Sequence, residues 1–113
     1  MIIKKDTYII NTSELNLCKL SGSLRLSSQL AYNEPFTPIK YAIECATEKL
    51  TIDIKELEFL NSAGVIALAK LIILSRQLDK EIQLIINSHI PWQQLTLSPL
   101  TKLWEKLTIS AEN

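Results

Sequence analysis

The sequence predicts an α/β fold with a mixed sheet of four or five strands and helices packed mainly on one face. Residues 50–54 alternate apolar and polar side chains with the period of a strand. Residues 65–78 then form a long apolar segment that is compatible with a helix, and residues 81–87 indicate a strand buried on both faces. A strand, a helix and a strand in this order predict a right-handed βαβ unit with parallel strands.

Length and composition indicate one globular domain spanning residues 1–113. Hydrophobic residues make up 47% of the chain and charged residues 21%, which is an ordinary globular balance. Twelve basic and twelve acidic residues cancel, so no overall positive charge favours direct nucleic-acid binding. No apolar run reaches the roughly 18 residues that a membrane span needs, and the N-terminus lacks a signal-peptide pattern. We therefore expect a cytoplasmic protein without a membrane span.

The N-terminal part predicts a β-hairpin. Residues 7–12 indicate a first strand, and residues 13–16 a turn. Residues 15–22 alternate in polarity and end at Gly22, where a strand would stop or bulge. The hairpin is expected to form one side of the sheet.

The next segment, residues 23–38, carries mixed strand, loop and helix-start signals. Pro38 suits the first turn of a helix with Thr37 as its N-cap. An apolar stripe at helical spacing follows and ends near residues 48–49. The sequence therefore predicts a short helix that begins at Thr37 or Pro38.

The helix predicted from Ser62 or Ala63 to Leu78 is apolar on nearly every side. Its core stripe is expected to contain Ala67, Leu71, Leu74 and Leu78, with Leu68 and Ile72 beside it. Ile66 and Ile73 fall outside this stripe. Such a helix is either buried on several sides or presents part of its surface to a partner, and the pattern alone leaves both interpretations open for the two isoleucines.

The C-terminal part predicts a turn, a helical segment and an edge strand. Residues 87–91 form the turn, and residues 92–104 the helical segment, which is interrupted near residues 98–99. Residues 107–109 indicate a final strand at the edge of the sheet.

The residues that could carry chemistry are few. Cys18 and Cys45 lie singly in apolar surroundings without CxxC spacing, so we expect two reduced core thiols rather than a disulfide or a metal site. The single histidine, His89, adjoins a turn, and no nucleophile, zinc or phosphate-loop motif occurs. The sequence predicts no catalytic residue, no metal and no cofactor, and hence no enzyme.

The junction between the strand and the apolar helix contains the candidate functional residues. Asn61 and Ser62 can both cap a helix, and Gly64 follows them. A phosphate on Ser62 would face unpaired N–H groups and the positive end of the helix dipole. A cap alone stabilises a helix by about 1 kcal/mol, and from these residues alone simple capping is the favoured role of Ser62.

The order of these motifs resembles the STAS domain of bacterial anti-sigma factor antagonists. Those domains have a hairpin ending in Gly, a helix, a strand with Asp between apolar residues, and Asp-Ser-Ser-Gly before a long apolar helix. The matching segments here are Leu20-Ser21-Gly22, Ile52-Asp53-Ile54 and residues 57–65, and residues 95–104 match the closing helix. The resemblance covers residues 7–109. It departs from the family at Asn61, which replaces Asp, and at Ala63, which replaces the second Ser.

The resemblance implies a STAS-like fold and a role in partner switching. It makes Ser62 the acceptor of phosphate from a GHKL-type serine kinase that is also an anti-sigma factor, and a PP2C-type phosphatase would reverse the reaction. The unphosphorylated form would bind the kinase and free a sigma factor for transcription. The expected contact surface, to which residues 21–26 are adjacent, contains Asn61, Ser62, Ala63, Gly64, Ile66 and Ile73.

Three interpretations remain at this stage. The chain is either a switch protein, as a monomer or weak dimer, or a non-phosphorylated STAS interaction subunit or small-ligand sensor, as in lipid-transport complexes. In the second case Ser62 would only cap the helix. A further interpretation places an acyl or nucleotide pocket near Ser23–Pro38.

Overall fold

The structure is a computed structural model that describes residues 1–112. Within these residues six strands form one sheet in their sequence order: β1 (Ile2–Lys4), β2 (Tyr8–Asn11), β3 (Leu17–Leu24), β4 (Leu50–Leu60), β5 (Ile82–Ile86) and β6 (Leu107–Ala111). The helices are α1 (Asn33–Cys45), α2 (Ser62–Gln77) and α3 (Pro91–Leu97), and 3₁₀ turns cover Leu30–Tyr32 and Ser98–Leu103. None of these helices is long and apolar enough to cross a membrane.

The topology explains why the helices share a face. β1, β2 and β3 are antiparallel neighbours, whereas β3 to β6 are parallel. Each parallel connection moves one place in the same direction, and right-handed connections then put α1, α2 and α3 on the same side. The predicted mixed sheet and βαβ unit are confirmed, with six strands rather than four or five.

The sheet has one buried face and one open face. Alternate residues of β2 to β5 are buried under the helices, among them Ile10, Leu20, Ile52 and Leu84, and β6 buries Leu107 there. β1 has no buried residue. The opposite face carries half-buried and exposed side chains, as at Ile9, Lys19 and Asp53. β5 follows the same pattern, because Gln83 and Ile85 are only half-buried. The prediction that this strand is buried on both faces was therefore wrong.

The long strand β4 extends past its neighbour β5. It pairs with β5 only over its first four residues, so its later carbonyl groups need other partners. The fully buried Gln93 supplies them, since its Nε2 donates to the carbonyls of Ile54 at 2.8 Å and Leu57 at 2.9 Å. Its Oε1 accepts from the backbone N–H of Asn87 at 2.7 Å. The indole of Trp92 donates to a carbonyl further along β4 at 2.6 Å. Helix α3 thus substitutes for the missing length of β5.

Helix α1 begins earlier than the sequence predicts. Its first residue is Asn33, and Pro38 lies inside it. The hydroxyl of Thr37 donates to the carbonyl of Asn33 at 2.6 Å, so Thr37 is not an N-cap. Both prolines of the segment, Pro35 and Pro38, are buried together with Phe36. Tertiary packing of this face compensates for the backbone hydrogen bond that the helix loses at Pro38.

Two further expectations about burial were wrong in part. Cys18 is buried as predicted, but Cys45 is exposed at the end of α1. In α2 the buried residues are Gly64, Leu68, Leu71, Ile72 and Ser75. Leu78, which the periodicity predicts in the core stripe, lies just beyond the end of the helix and is 41% exposed. The C-terminal helical segment and the edge strand β6 are present where the sequence predicts them.

Candidate functional site

Asn61 lies at the junction of β4 and α2 and is the N-cap of α2. Its Oδ1 accepts a hydrogen bond from the backbone N–H of Gly64 at 3.0 Å. Its own carbonyl accepts from the N–H of Val65 at 3.0 Å, which completes the first helical turn. Asn61 therefore satisfies the N–H of Gly64 with its side chain, as an N-cap does.

The same asparagine connects this junction to the loop that follows β3. Its backbone N–H donates to the carbonyl of Leu24 at 3.1 Å, and its Nδ2 donates to the carbonyl of Leu26 at 2.8 Å. The hydroxyl of Tyr32 donates to Oδ1 at 2.6 Å. Segment 21–26 is therefore adjacent to the junction, as the resemblance implies, and the side chain of Asn61 is bonded at both its oxygen and its nitrogen.

Tyr32 forms the floor of the junction. It is fully buried, and the centre of its ring lies 5.2 Å from the centre of the Phe36 ring. Its hydroxyl accepts a long hydrogen bond of 3.4 Å from the backbone N–H of Leu26. Burial raises the pKa of Tyr32, although the Leu26 hydrogen bond acts in the opposite direction. At neutral pH the hydroxyl is thus a proton donor to Asn61. The sequence gives no signal for this role, because Tyr32 lies in residues 23–38, which carry mixed strand, loop and helix-start signals.

Gly64 brings α2 close to this floor. A Cβ atom at this position would lie 2.3 Å from a Leu60 methyl carbon and 2.7 Å from the Tyr32 hydroxyl oxygen. Gly64 is buried and faces inward. Its place in the motif is therefore explained by close packing of the helix against Tyr32.

Ser62 is the first residue of α2 and is exposed. Within residues 1–112 its hydroxyl has no hydrogen-bond partner, since Asn61 occupies the capping position. The capping role that the residues alone favour for Ser62 is therefore wrong. The first turn of α2 contains no acidic side chain. The hydroxyl is thus accessible at the positive end of the helix dipole, and no carboxylate in the first turn offsets that positive charge.

One side of α2 carries a surface that we call the α2 ridge. It is defined as Ser62, Ile66 and Ile73. At 3.6 residues per turn these three positions lie within about 40° of one another around the helix. Ile66 is 43% exposed and Ile73 is half-buried, and neither belongs to the core. Ala63, beside the ridge, is also half-buried. Ser62, Ile66 and Ile73 therefore share this outer surface. The other predicted contact residues do not, because Ala63 packs against the core, Gly64 is buried and Asn61 is hydrogen-bonded.

Arg25 lies directly after β3. The guanidinium of Arg25 is 4.0 Å from the centre of the Phe59 ring, on the strand that leads to Ser62. At the next loop along this edge, the N–H of His89 donates to Asn87. No three His, Cys, Asp or Glu side chains in the described part of the chain are grouped to hold a metal ion.

Comparison with known proteins gives a match in fold. No protein-family model matches the chain, and no curated protein matches its sequence. One similar solved structure is that of the diguanylate cyclase SiaD in complex with its activator SiaC, from Pseudomonas aeruginosa. The similar chain is the activator SiaC, with 12% sequence identity, 99% of each chain covered and a TM-score of 0.72. The chain therefore has the mixed α/β, STAS-like fold of this activator.

Proposed function

We propose that this protein is a non-catalytic regulator that switches between protein partners, and that phosphorylation of Ser62 controls the switch. The observation that carries the proposal is that Asn61, and not Ser62, caps α2. Asn61 caps α2, which leaves the hydroxyl of Ser62 exposed and unbonded at the first turn. A kinase could modify this hydroxyl without breaking any hydrogen bond of the fold.

The electrostatics of the first turn would tolerate a phosphate. Phosphorylation adds about −1.5 to −2 charges at neutral pH. The helix dipole and the free N–H groups of the first turn favour such a charge at this position. The phosphorylated chain should therefore keep its fold, which a reversible switch requires.

The partner contact would be sensitive to the same charge. Ile66 is exposed one turn from Ser62, and Ile73 lies further along the α2 ridge. A partner that covers these apolar side chains would also cover Ser62. A phosphate would then be buried without a counter-ion and would weaken binding.

The expected partners are a GHKL-type serine kinase that acts as an anti-sigma factor and a PP2C-type phosphatase, in the bacterial cytoplasm. The resemblance to STAS domains supports this pair. The likeness in fold to SiaC, the activator of a diguanylate cyclase, supports a second class of target, namely an enzyme that the unphosphorylated protein activates by binding. Isolation of the complex formed by the unphosphorylated protein distinguishes an anti-sigma factor from an enzyme.

Phosphorylation by the serine kinase encoded beside this protein tests the proposal. Incubation with ATP followed by mapping of the modified residue should place phosphate on Ser62, and Ser62→Ala should accept none. Phosphate on another residue, or no phosphate, would contradict the proposal.

A charge substitution tests the effect on binding. Ser62→Asp should fold normally and bind the partner at least about tenfold more weakly. Thr47→Asp is the matched control, because Thr47 is exposed at the opposite end of β4. Equal partner affinity of the two variants would refute the switch.

A further inference from the structure

A groove lies between α1 and α2, on the flank of the α2 ridge. Its volume is about 370 Å³, which falls in the range of small-molecule sites of roughly 300–1,000 Å³. Its floor is formed by Tyr32, Phe36 and Leu71, and its walls carry Lys40 from α1 and Lys70 from α2. The remaining lining residues are Gln29, Asn33, Thr37 and Ala67.

The charge of this groove is unbalanced. None of its nine lining residues is acidic, although the whole chain has equal numbers of acidic and basic residues. The ion pairs of the described residues involve Lys55 and Lys106, and neither Lys40 nor Lys70 takes part in one. Two basic residues therefore line the groove, one from each helix, and no acidic residue of the described chain lines it or forms an ion pair with them.

We infer that this groove binds a small organic anion, with its acidic group between Lys40 and Lys70 and its apolar body over the floor of the groove. Two lysine side chains on opposite walls can both donate charge-assisted hydrogen bonds to one phosphate or carboxylate. The amide side chains of Gln29 and Asn33 can orient polar atoms of the body, as is usual in ligand pockets. A nucleoside phosphate and a fatty acyl carboxylate share this chemistry.

The groove is connected to the junction through Tyr32. This residue forms part of the groove floor, while its hydroxyl donates to Asn61 and its ring lies against Gly64. A ligand that shifts Tyr32 would change the surroundings of the α2 cap, one residue from Ser62. Occupancy of the groove should therefore be detectable at the Gly64 amide.

Titration of the ¹⁵N-labelled full chain with AMP and, separately, with octanoate tests the inference. At least one probe should shift the amide resonances of Asn33, Thr37 and Lys70 saturably, with a Kd below about 1 mM, and should also shift Gly64. The arm that binds distinguishes a nucleoside phosphate from an acyl carboxylate. Inorganic phosphate serves as the probe that lacks an apolar body and should bind more weakly.

Variants at the two lysines complete the test. Lys40→Gln with Lys70→Gln should weaken binding by about tenfold or more, because charged hydrogen bonds are lost. Lys5→Gln with Lys102→Gln, at exposed positions elsewhere, should bind as the natural chain does. Absence of shifts with both organic probes would overturn the inference. Shifts that persist in the Lys40 and Lys70 variant, or equal binding of inorganic phosphate, would overturn it as well.

Discussion

The hydroxyl of Tyr32 donates a hydrogen bond of 2.6 Å to the side-chain oxygen of Asn61, the residue that caps α2. The nitrogen of the same side chain donates to the carbonyl of Leu26 at 2.8 Å. Asn61 thus acts as an acceptor toward the helix and Tyr32, and as a donor toward the loop. A carboxylate has no donor at neutral pH. The asparagine that departs from the STAS pattern is therefore explained by its contact with Leu26.

Replacement of Asn61 by Asp, the residue of the STAS pattern, should destabilise the protein. The new carboxylate oxygen would face the carbonyl of Leu26 without a proton between them, although the charge at the helix N-terminus offsets part of this cost. We expect the free energy of unfolding to fall by about 1–3 kcal/mol, as measured by urea denaturation. Asn11→Asp is the control, because the side-chain oxygen of Asn11 accepts both bonds from Ser13. Equal stability of Asn61→Asp and the natural chain would contradict this account of the junction.

Gly64→Ala should also destabilise the protein, although alanine is the better helix former by about 1 kcal/mol. The added methyl group would meet Leu60 and the hydroxyl of Tyr32, which are both buried. Overpacking of this kind costs about 1–3 kcal/mol. In a Tyr32→Phe background the cost should be smaller, because one of the close contacts is removed. Strictly additive effects in this double-mutant cycle would show that the Tyr32 hydroxyl does not limit the approach of the helix.

Tyr32→Phe should lower the free energy of unfolding by about 1 kcal/mol at neutral pH, because the hydrogen bond to Asn61 is lost. Burial raises the pKa of Tyr32 above its ordinary value of 10.0, and the hydrogen bond from Leu26 acts against this shift. As the pH rises through 10.0, Tyr32 ionises in the unfolded chain first, which favours unfolding of the natural protein, and the variant lacks this contribution. The stability difference between the two proteins should therefore shrink above pH 10.0. A difference that grows with pH would contradict the burial of a neutral hydroxyl.

The periodicity of the sequence predicts most of the sheet, since the alternation of residues 50–54 is imposed by a sheet with helices on one face. It does not reveal β1, because three residues at an exposed edge show no alternation. Pro38 indicates a helix start, but burial of Pro35, Phe36 and Pro38 allows the helix to begin at Asn33. In both places tertiary contacts override the local signal.

In the candidate site, too, neighbouring residues predict one part of the structure and distant residues determine the other. The cap, the glycine and the serine are adjacent in sequence, so their motif indicates a helix start. Which side chain caps, and whether Ser62 is free, depends on Leu26 and Tyr32, which lie 35 and 29 residues from Asn61. No short-range pattern contains that information. The resemblance to STAS domains makes Ser62 the expected phosphate acceptor, and the contacts of Asn61 explain why the hydroxyl of Ser62 is unbonded.

The two cysteines should differ in reactivity. Cys18 is fully buried, and burial raises its pKa to about 12, so its thiol stays protonated and inaccessible. Cys45 is exposed at the end of α1. At pH 8 we expect Ellman's reagent to modify Cys45 in the native protein and both cysteines after unfolding in urea. Cys45→Ser should abolish the native reaction, and rapid native labelling of Cys18 would contradict the burial of this strand.

Gln93→Leu should be among the most destabilising single substitutions of a polar residue in this chain. Leucine would leave the carbonyls of Ile54 and Leu57 and the N–H of Asn87 without the partners that Gln93 provides. Each buried group left unsatisfied costs about 1–3 kcal/mol, so we expect a loss of about 3 kcal/mol or more in the free energy of unfolding. Gln94→Leu, at the exposed neighbouring position of α3, should change it by less than about 0.5 kcal/mol. Urea denaturation of the two variants measures the difference. Similar values for both would show that α3 does not replace the missing length of β5.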